Sequence, residues 1–179
     1  MKTKLNVGCG KDIKKDYINI DVVKLPGVDV VHNLNKFPWP FKDDKFDEIL
    51  CSHVLEHVTD FERTIKEIHR ILKKGGIVKI TVPHFSGVGA WTCPQHKRAF
   101  GYFTFDFFCE ETKYDVAKGL GYCYSFKFNK ILKKHLIFGK KYQVWNWIIE
   151  WIANKFPHFY EDSFLKSFPA IELYIEMQK

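Results

Sequence analysis

Leu5-Asn6-Val7-Gly8-Cys9-Gly10, with Asp21 a short distance beyond it, is the stretch on which the fold turns. A short apolar strand running into Gly-x-Gly permits a tight turn whose backbone N–H groups approach a ligand without interference from a Cβ. The next apolar run, Tyr17 to Val23, carries Asp21 where the carboxyl edge of a strand would offer a carboxylate to two ribose hydroxyls. Gly-x-Gly and a lone Asp each occur in ordinary loops. In this order, however, they predict an α/β sheet built around an adenosine-type cofactor.

Three more strands follow: Val28 to Leu34 after Pro26-Gly27, Phe46 to Ser52 after the polar loop Lys42 to Lys45, and Ile77 to Val82 after Gly75-Gly76. Between the last two, Thr59-x-x-Glu62 reads as a capping box, and Phe61, Ile65, Ile68 and Leu72 share one face of a helix over 59–74. Gly75-Gly76 is expected to end that helix in the left-handed conformation. Downstream, the pattern predicts a short helix from Glu110 to Gly119, a strand from Tyr122 to Leu132 and a helix from Tyr142 to Lys155. A half-buried strand from Ala170 to Gln178 closes the chain, with Ile171, Leu173, Ile175 and Met177 on its apolar side.

A chain of 179 residues with 46% hydrophobic content suits one well-buried core, so a single domain over 1–179 is expected. Its 1–83 half would bind the cofactor, and its aromatic-rich 84–179 half would face the acceptor. No run approaches the roughly 18 apolar residues of a membrane helix, and Met1-Lys2-Thr3-Lys4 does not open a secretory signal, so a cytoplasmic location is expected. Five cysteines (Cys9, Cys51, Cys93, Cys109, Cys123) include no C-x-x-C pair, which argues against a disulfide framework and a zinc ribbon. The net charge of +7 would attract nucleic acid, an anionic membrane surface or a phosphorylated substrate without choosing among them.

Leu5 to Gly10 resembles the glycine-rich first motif of class I S-adenosylmethionine-dependent methyltransferases, with Asp21 in the place of their ribose-binding acid. Val31-His32-Asn33-Leu34 is similar to their adenine-contacting segment. Phe46 through His57, the helix and Leu72 to Gly76 look like the quinone-biosynthesis-like type 11 group. The resemblance spans residues 5–83 and implies a Rossmann-like fold, a mostly parallel sheet ending in an antiparallel strand pair. It implies S-adenosylmethionine as methyl donor, S-adenosylhomocysteine as product, and a cofactor site of Val7, Gly8, Cys9, Gly10, Asp21, Val22, Asn33, Leu34, Ser52 and His53. A nicotinamide dinucleotide is the rival cofactor, but Ile13 stands at the third glycine position of its fingerprint and Asp21 comes early.

Two departures stand out. Asp12 replaces the usual third small residue, and only eight residues, Cys9 to Asp16, separate Gly8 from Tyr17, so the first crossover helix must shrink to a turn or a loop. One face of the sheet then loses cover, and either the aromatic C-terminal segment or a second subunit in a homodimer is expected to bury it.

Methyl transfer from a sulfonium is an in-line displacement that needs alignment and, for some acceptors, a base. His53, His84 and His96 are the candidates, since they follow strands four and five where such sheets open. No metal is expected, because His84, Cys93, His96 and Cys109 match no zinc spacing. His57 reads equally well as bonding a backbone group before the helix. Asn-Pro-Pro-Tyr, the signature of amide and adenine methylation, is absent. Lys133-Lys134-His135 and Lys140-Lys141 precede Trp145, Trp147, Trp151, Phe156, Phe159 and Tyr160, a segment expected to form core or lid. Its basic and aromatic character suits a small-molecule, lipid-linked or phosphorylated acceptor. The alternative is a non-catalytic interaction or RNA-binding module that kept the fold.

Overall fold

β1 (Lys4–Val7) lies between β2 (Ile18–Asp21) and β4 (Phe46–Ser52), parallel to both, in a computed structural model that describes residues 3–120, 124–139 and 146–179. β3 (Val30–Val31) adds to the outer edge of β2, and β5 (Leu72–Pro83) to β4. The sheet continues through β8 (Ala170–Gln178), antiparallel to both neighbours, to β7 (Phe128–Phe138) and β6 (Cys109–Glu111). The order β3-β2-β1-β4-β5-β8-β7-β6 reverses direction of growth between β1 and β4, the switch point at which ligands bind in open α/β sheets.

Register sorts the side chains cleanly between two faces, because alternate residues point to opposite sides. Leu5, Val7, Ile20, Ile49, Cys51, Val78, Ile80, Leu173, Ile175 and Met177 share one face and are fully buried. The helix α1 (Phe61–Ile71) buries Ile65, Ile68 and Ile71 in the same core. The other face carries Asn6, Asn19, Glu48, Leu50, Lys79, Tyr174 and Glu176. No helix joins β1 to β2: the loop 8–17 folds back over the two asparagines instead. Asn6 Nδ2 donates to the Asp12 carbonyl (2.8 Å), and the Asn19 amide exchanges bonds with the Lys14 backbone N–H and carbonyl (3.0 Å each). Further along, Glu48 accepts from Tyr17 and from Lys79. This face, expected to need a covering element, is thus lined by paired polar groups.

Several boundaries differ from expectation. Asp60, not Thr59, caps α1, its side chain accepting from Arg63 N–H at 2.9 Å, and Glu62 is not reciprocal. The helix stops at Ile71, because Leu72 already pairs with Phe46 as β5 begins. Gly75, at φ 76°, therefore sits where the ladder is interrupted, its N–H donating to the Lys179 carbonyl, rather than ending the helix. The third strand shrinks to two residues as Asn33 Oδ1 accepts from Asn35 N–H in a local turn. The expected helix at 110–119 divides into β6 and α3 (Asp115–Leu120). The strand expected from Tyr122 begins at Phe128 and runs to Phe138, so Lys133, Lys134 and His135 lie within it; residues 121–123 lie outside the described set.

α4 (Asn146–Lys155) and α5 (Pro157–Asp162) fill the interval before β8; the expected helix residues 142–145, Trp145 among them, lie outside the described residues. Asn154 bonds both the N–H and the C=O of Leu136 (2.7 and 3.0 Å), which satisfies backbone groups on the free side of β7. α4 buries only Ile149 and Ala153, whereas Trp147 and Trp151 are 68% and 58% exposed. Of the segment expected to be core or lid, Tyr160 is fully buried and its hydroxyl donates to the Phe168 carbonyl at 2.9 Å, whereas α4 adds one narrow stripe and turns Trp147 and Trp151 outward.

Candidate functional site

The carboxyl ends of β1, β2 and β4 surround a cleft of about 760 Å³, within the range of small-molecule and cofactor sites. Gly8, Asp21, Val22, Asn33, Leu34 and His53, all expected cofactor residues, line it. Gly8 leaves β1 with φ 62°, and a Cβ there would lie 2.4 Å from Val54 Cγ2, so only glycine lets the turn pass under the segment after β4. Gly10 is also left-handed at φ 48°, and its N–H donates to Asp21 Oδ2 at 2.8 Å. Asp21 Oδ1 accepts from Val23 N–H at 2.9 Å. Two backbone donors thus fix the carboxylate at the cleft edge, and each oxygen keeps a lone pair for a ligand.

Four other expected residues stand behind that wall. Val7 and Cys9 are buried, and burial, with Asp21 nearby, pushes the Cys9 thiol up, so it is packing rather than a nucleophile. Gly10 acts through Asp21, and Ser52 pairs with Thr81 in the sheet.

His53 follows β4 in the left-handed region, φ 52°, a conformation that costs a residue with a Cβ roughly 1–3 kcal/mol. Its N–H donates to the Thr81 carbonyl (2.9 Å), which helps hold it there. The half-exposed ring has Nδ1 3.5 Å from Glu56 Oε1 and Nε2 3.2 Å from Glu172 Oε1. Glu56, then Glu172, raise the histidine's pKa against the opposing effect of burial. Glu56 is itself fully buried, and neither of its carboxylate oxygens has a hydrogen-bond partner among the described residues.

His84 does not reach the cleft. It is completely buried, with Nε2 2.9 Å from Glu161 Oε1 and Nδ1 2.8 Å from Ser86 Oγ, and it joins the end of β5 to α5. His96 also stands off the cleft wall, its ring edge-on to His57 at 4.7 Å. The residues that complete the wall are Asn35, Val54, His57, Val58, Pro94, Gln95 and Lys97. The 93–98 loop is stapled to the segment after β4 by Lys97 N–H to the Glu56 carbonyl (2.8 Å) and by Arg98 to the Leu55 and Val58 carbonyls (2.9 and 2.6 Å). The Cys93 to Arg98 stretch was legible as histidine-bearing and basic; its contact with residues forty positions earlier was not.

A methyltransferase-domain family model matches residues 9–80, which hold β2 to β4, α1 and most of β5. The demethylmenaquinone methyltransferase of Lysinibacillus sphaericus is 26% identical over 152 residues, covering 83% of this chain and 52% of that protein. A ubiquinone/menaquinone biosynthesis C-methyltransferase of Haemophilus ducreyi is 34% identical over 80 residues, covering 42% and 30%. The chain thus spans about half, or less, of the length of these curated relatives. Among solved structures, a SAM-dependent methyltransferase from Archaeoglobus fulgidus superposes with a TM-score of 0.61 at 14% identity, covering 98% of this chain and 85% of the other. A Haloferax volcanii chain solved with the Trm112 methyltransferase activator gives 0.57 at 14%, covering 99% and 82%. Residues 9–80 are thus similar to a methyltransferase domain, and the fold across the sheet is that of S-adenosylmethionine-dependent methyltransferases.

Proposed function

We propose that the protein transfers a methyl group from S-adenosylmethionine to an acceptor held beside the cleft, and that Gly8, Asp21, Asn33 and His53 are the residues through which it does so. The observation that carries this reading is Asp21, anchored by two backbone N–H groups at the rim of a cofactor-sized cleft, next to a Gly8 turn that admits no side chain. Bound there, S-adenosylmethionine supplies an electrophilic methyl on a sulfonium. Asp21 accepts from the ribose hydroxyls with its remaining lone pairs. The Gly8 to Gly10 backbone borders the amino-acid part, and Asn33 with the buried Leu34 borders the adenine. His53, which lines the same cleft, would take a proton from an acceptor hydroxyl or amine, with Glu56 and Glu172 stabilising the imidazolium.

The acceptor is an apolar or lipid-linked molecule, a choice supported by the outward rings of α4 and α5 beside Lys155 and by relatives named for demethylmenaquinone and ubiquinone/menaquinone. Calorimetric titration with S-adenosylmethionine, S-adenosylhomocysteine and a nicotinamide dinucleotide tests the donor. Micromolar binding of the first two only, lost in Asp21→Ala, is the expected result; loss of about two charge-assisted hydrogen bonds corresponds to tenfold or more in affinity. Absence of binding to all three would remove the proposal.

A further inference from the structure

We propose that His57, Cys93 and His96 form a binding site for one divalent ion of the zinc class. One donor atom from each residue lies within 4.8 Å of the other two. Bonds of about 2.0–2.3 Å to a tetrahedral zinc put neighbouring donors roughly 3.3–3.8 Å apart, so closing the site takes about 1 Å of side-chain rotation. Cys93 and His96 sit across a turn closed by His96 N–H to the Cys93 carbonyl (3.1 Å), a Cys-x-x-His spacing that puts thiol and imidazole on one side. His57 comes from the segment after β4.

Three further features favour an ion over simple packing. His96 Nδ1 lies 3.2 Å from the Ala90 carbonyl, and as a donor there it leaves Nε2 with the lone pair that a metal needs. All three residues are partly exposed, so the thiol is neither a core packing group nor fully solvated. The two segments are already clamped together by Lys97 and Arg98, so binding orders little additional chain. One thiol and two imidazoles without a carboxylate select zinc or its neighbours over magnesium or calcium. Binding sends the Cys93 proton to solvent, and three protein ligands leave a fourth position for water. Chain order had suggested grouping Cys93 and His96 with His84 and Cys109. In the fold His84 is enclosed by Glu161 and Ser86, Cys109 faces Met177, and His57 takes their place. The ion would hold Gln95 and Lys97 against the cleft.

The untagged chain, stripped with chelator, would be titrated with Co²⁺ and then Zn²⁺. The expected result is one equivalent bound, with a thiolate-to-cobalt charge-transfer band and tetrahedral d–d bands that Zn²⁺ abolishes. Cys93→Ser should lose the charge-transfer band, and His96→Gln should bind at least ~10-fold more weakly, while His158→Gln, remote in sequence and exposed, should behave as wild type. Zinc should raise the melting temperature of wild type and not of Cys93→Ser. The wild-type spectrum decides even if a variant fails to fold: no stoichiometric uptake, or uptake without a thiolate band, overturns the proposal.

Discussion

His53 joins backbone conformation to acid–base chemistry. Left-handed at the end of β4 and set between Glu56 and Glu172, it has its pKa raised above the ordinary histidine value of about 6.5. A base must be neutral to accept a proton, so the acidic limb of the pH–rate profile should lie above that value. Glu172→Gln, changed on the solvent side, should move the limb to lower pH, as should Glu56→Gln in the core. A limb that neither substitution moves would remove His53 from the proton path. In stability the sign runs the other way: a raised folded-state pKa contributes below the unfolded value and is lost as pH rises through the folded one. The positions of Gly8, Asp21 and Asn33 followed from strand ends in the sequence. His53 was legible as a candidate, with Glu56 only three residues on, but Glu172 was not, since it arrives from β8 and is distant in the chain.

The missing crossover helix shows what an element's loss requires. With no helix over β1 and β2, the turn that carries Gly10 depends on side-chain amides, and Asn6 and Asn19 supply them, both buried. Asn19 also bonds Asp29 through its backbone and side chain, linking β2 to the loop before β3. Asn19→Ala should cost about 1–3 kcal/mol in chemical denaturation by stranding buried backbone groups, and should weaken S-adenosylmethionine binding because the Gly10 turn loosens. Unchanged binding with reduced stability would confine Asn19 to the fold. The shortened connection could be read from the eight residues between Gly8 and Tyr17. The asparagine pair could not, because only the parallel register sets Asn6 beside Asn19.

Across the whole molecule, polarity is divided unequally. The open sheet face pairs Glu48 with Tyr17 and Lys79, and Tyr174 donates to Glu176, so its charges are matched within the chain. Homodimer interfaces are depleted of such charges at their centres, and sedimentation equilibrium should return a monomer. A dimer that dissociates on Lys79→Glu would show that this face is an interface after all. Around α4 and α5 the balance is the reverse: Trp147, Trp151, Phe159 and Phe164 are more than half exposed, and Lys155 sits over the Trp151 ring. Aromatic rings beside lysines suit the interfacial region of an anionic bilayer. Co-sedimentation with anionic vesicles is expected, and Trp147→Ala with Trp151→Ala should abolish it; no binding at low salt would count against a lipid-linked acceptor. No helix among the described residues is long and apolar enough to cross a membrane.

Sequence by itself determined the parallel strands, the glycine turn, the acid at the end of β2 and the closing strand, because each is a local pattern of alternation, turn chemistry or spacing. Tertiary structure alone decided which histidines share a place. His53, His84 and His96 follow strand ends alike in the sequence, yet His53 opens to the cleft, His84 is sealed under α5, and His96 turns to His57. That separation depends on contacts between residues dozens of positions apart, whose geometry comes from packing a shared core and leaves no periodic trace in either segment.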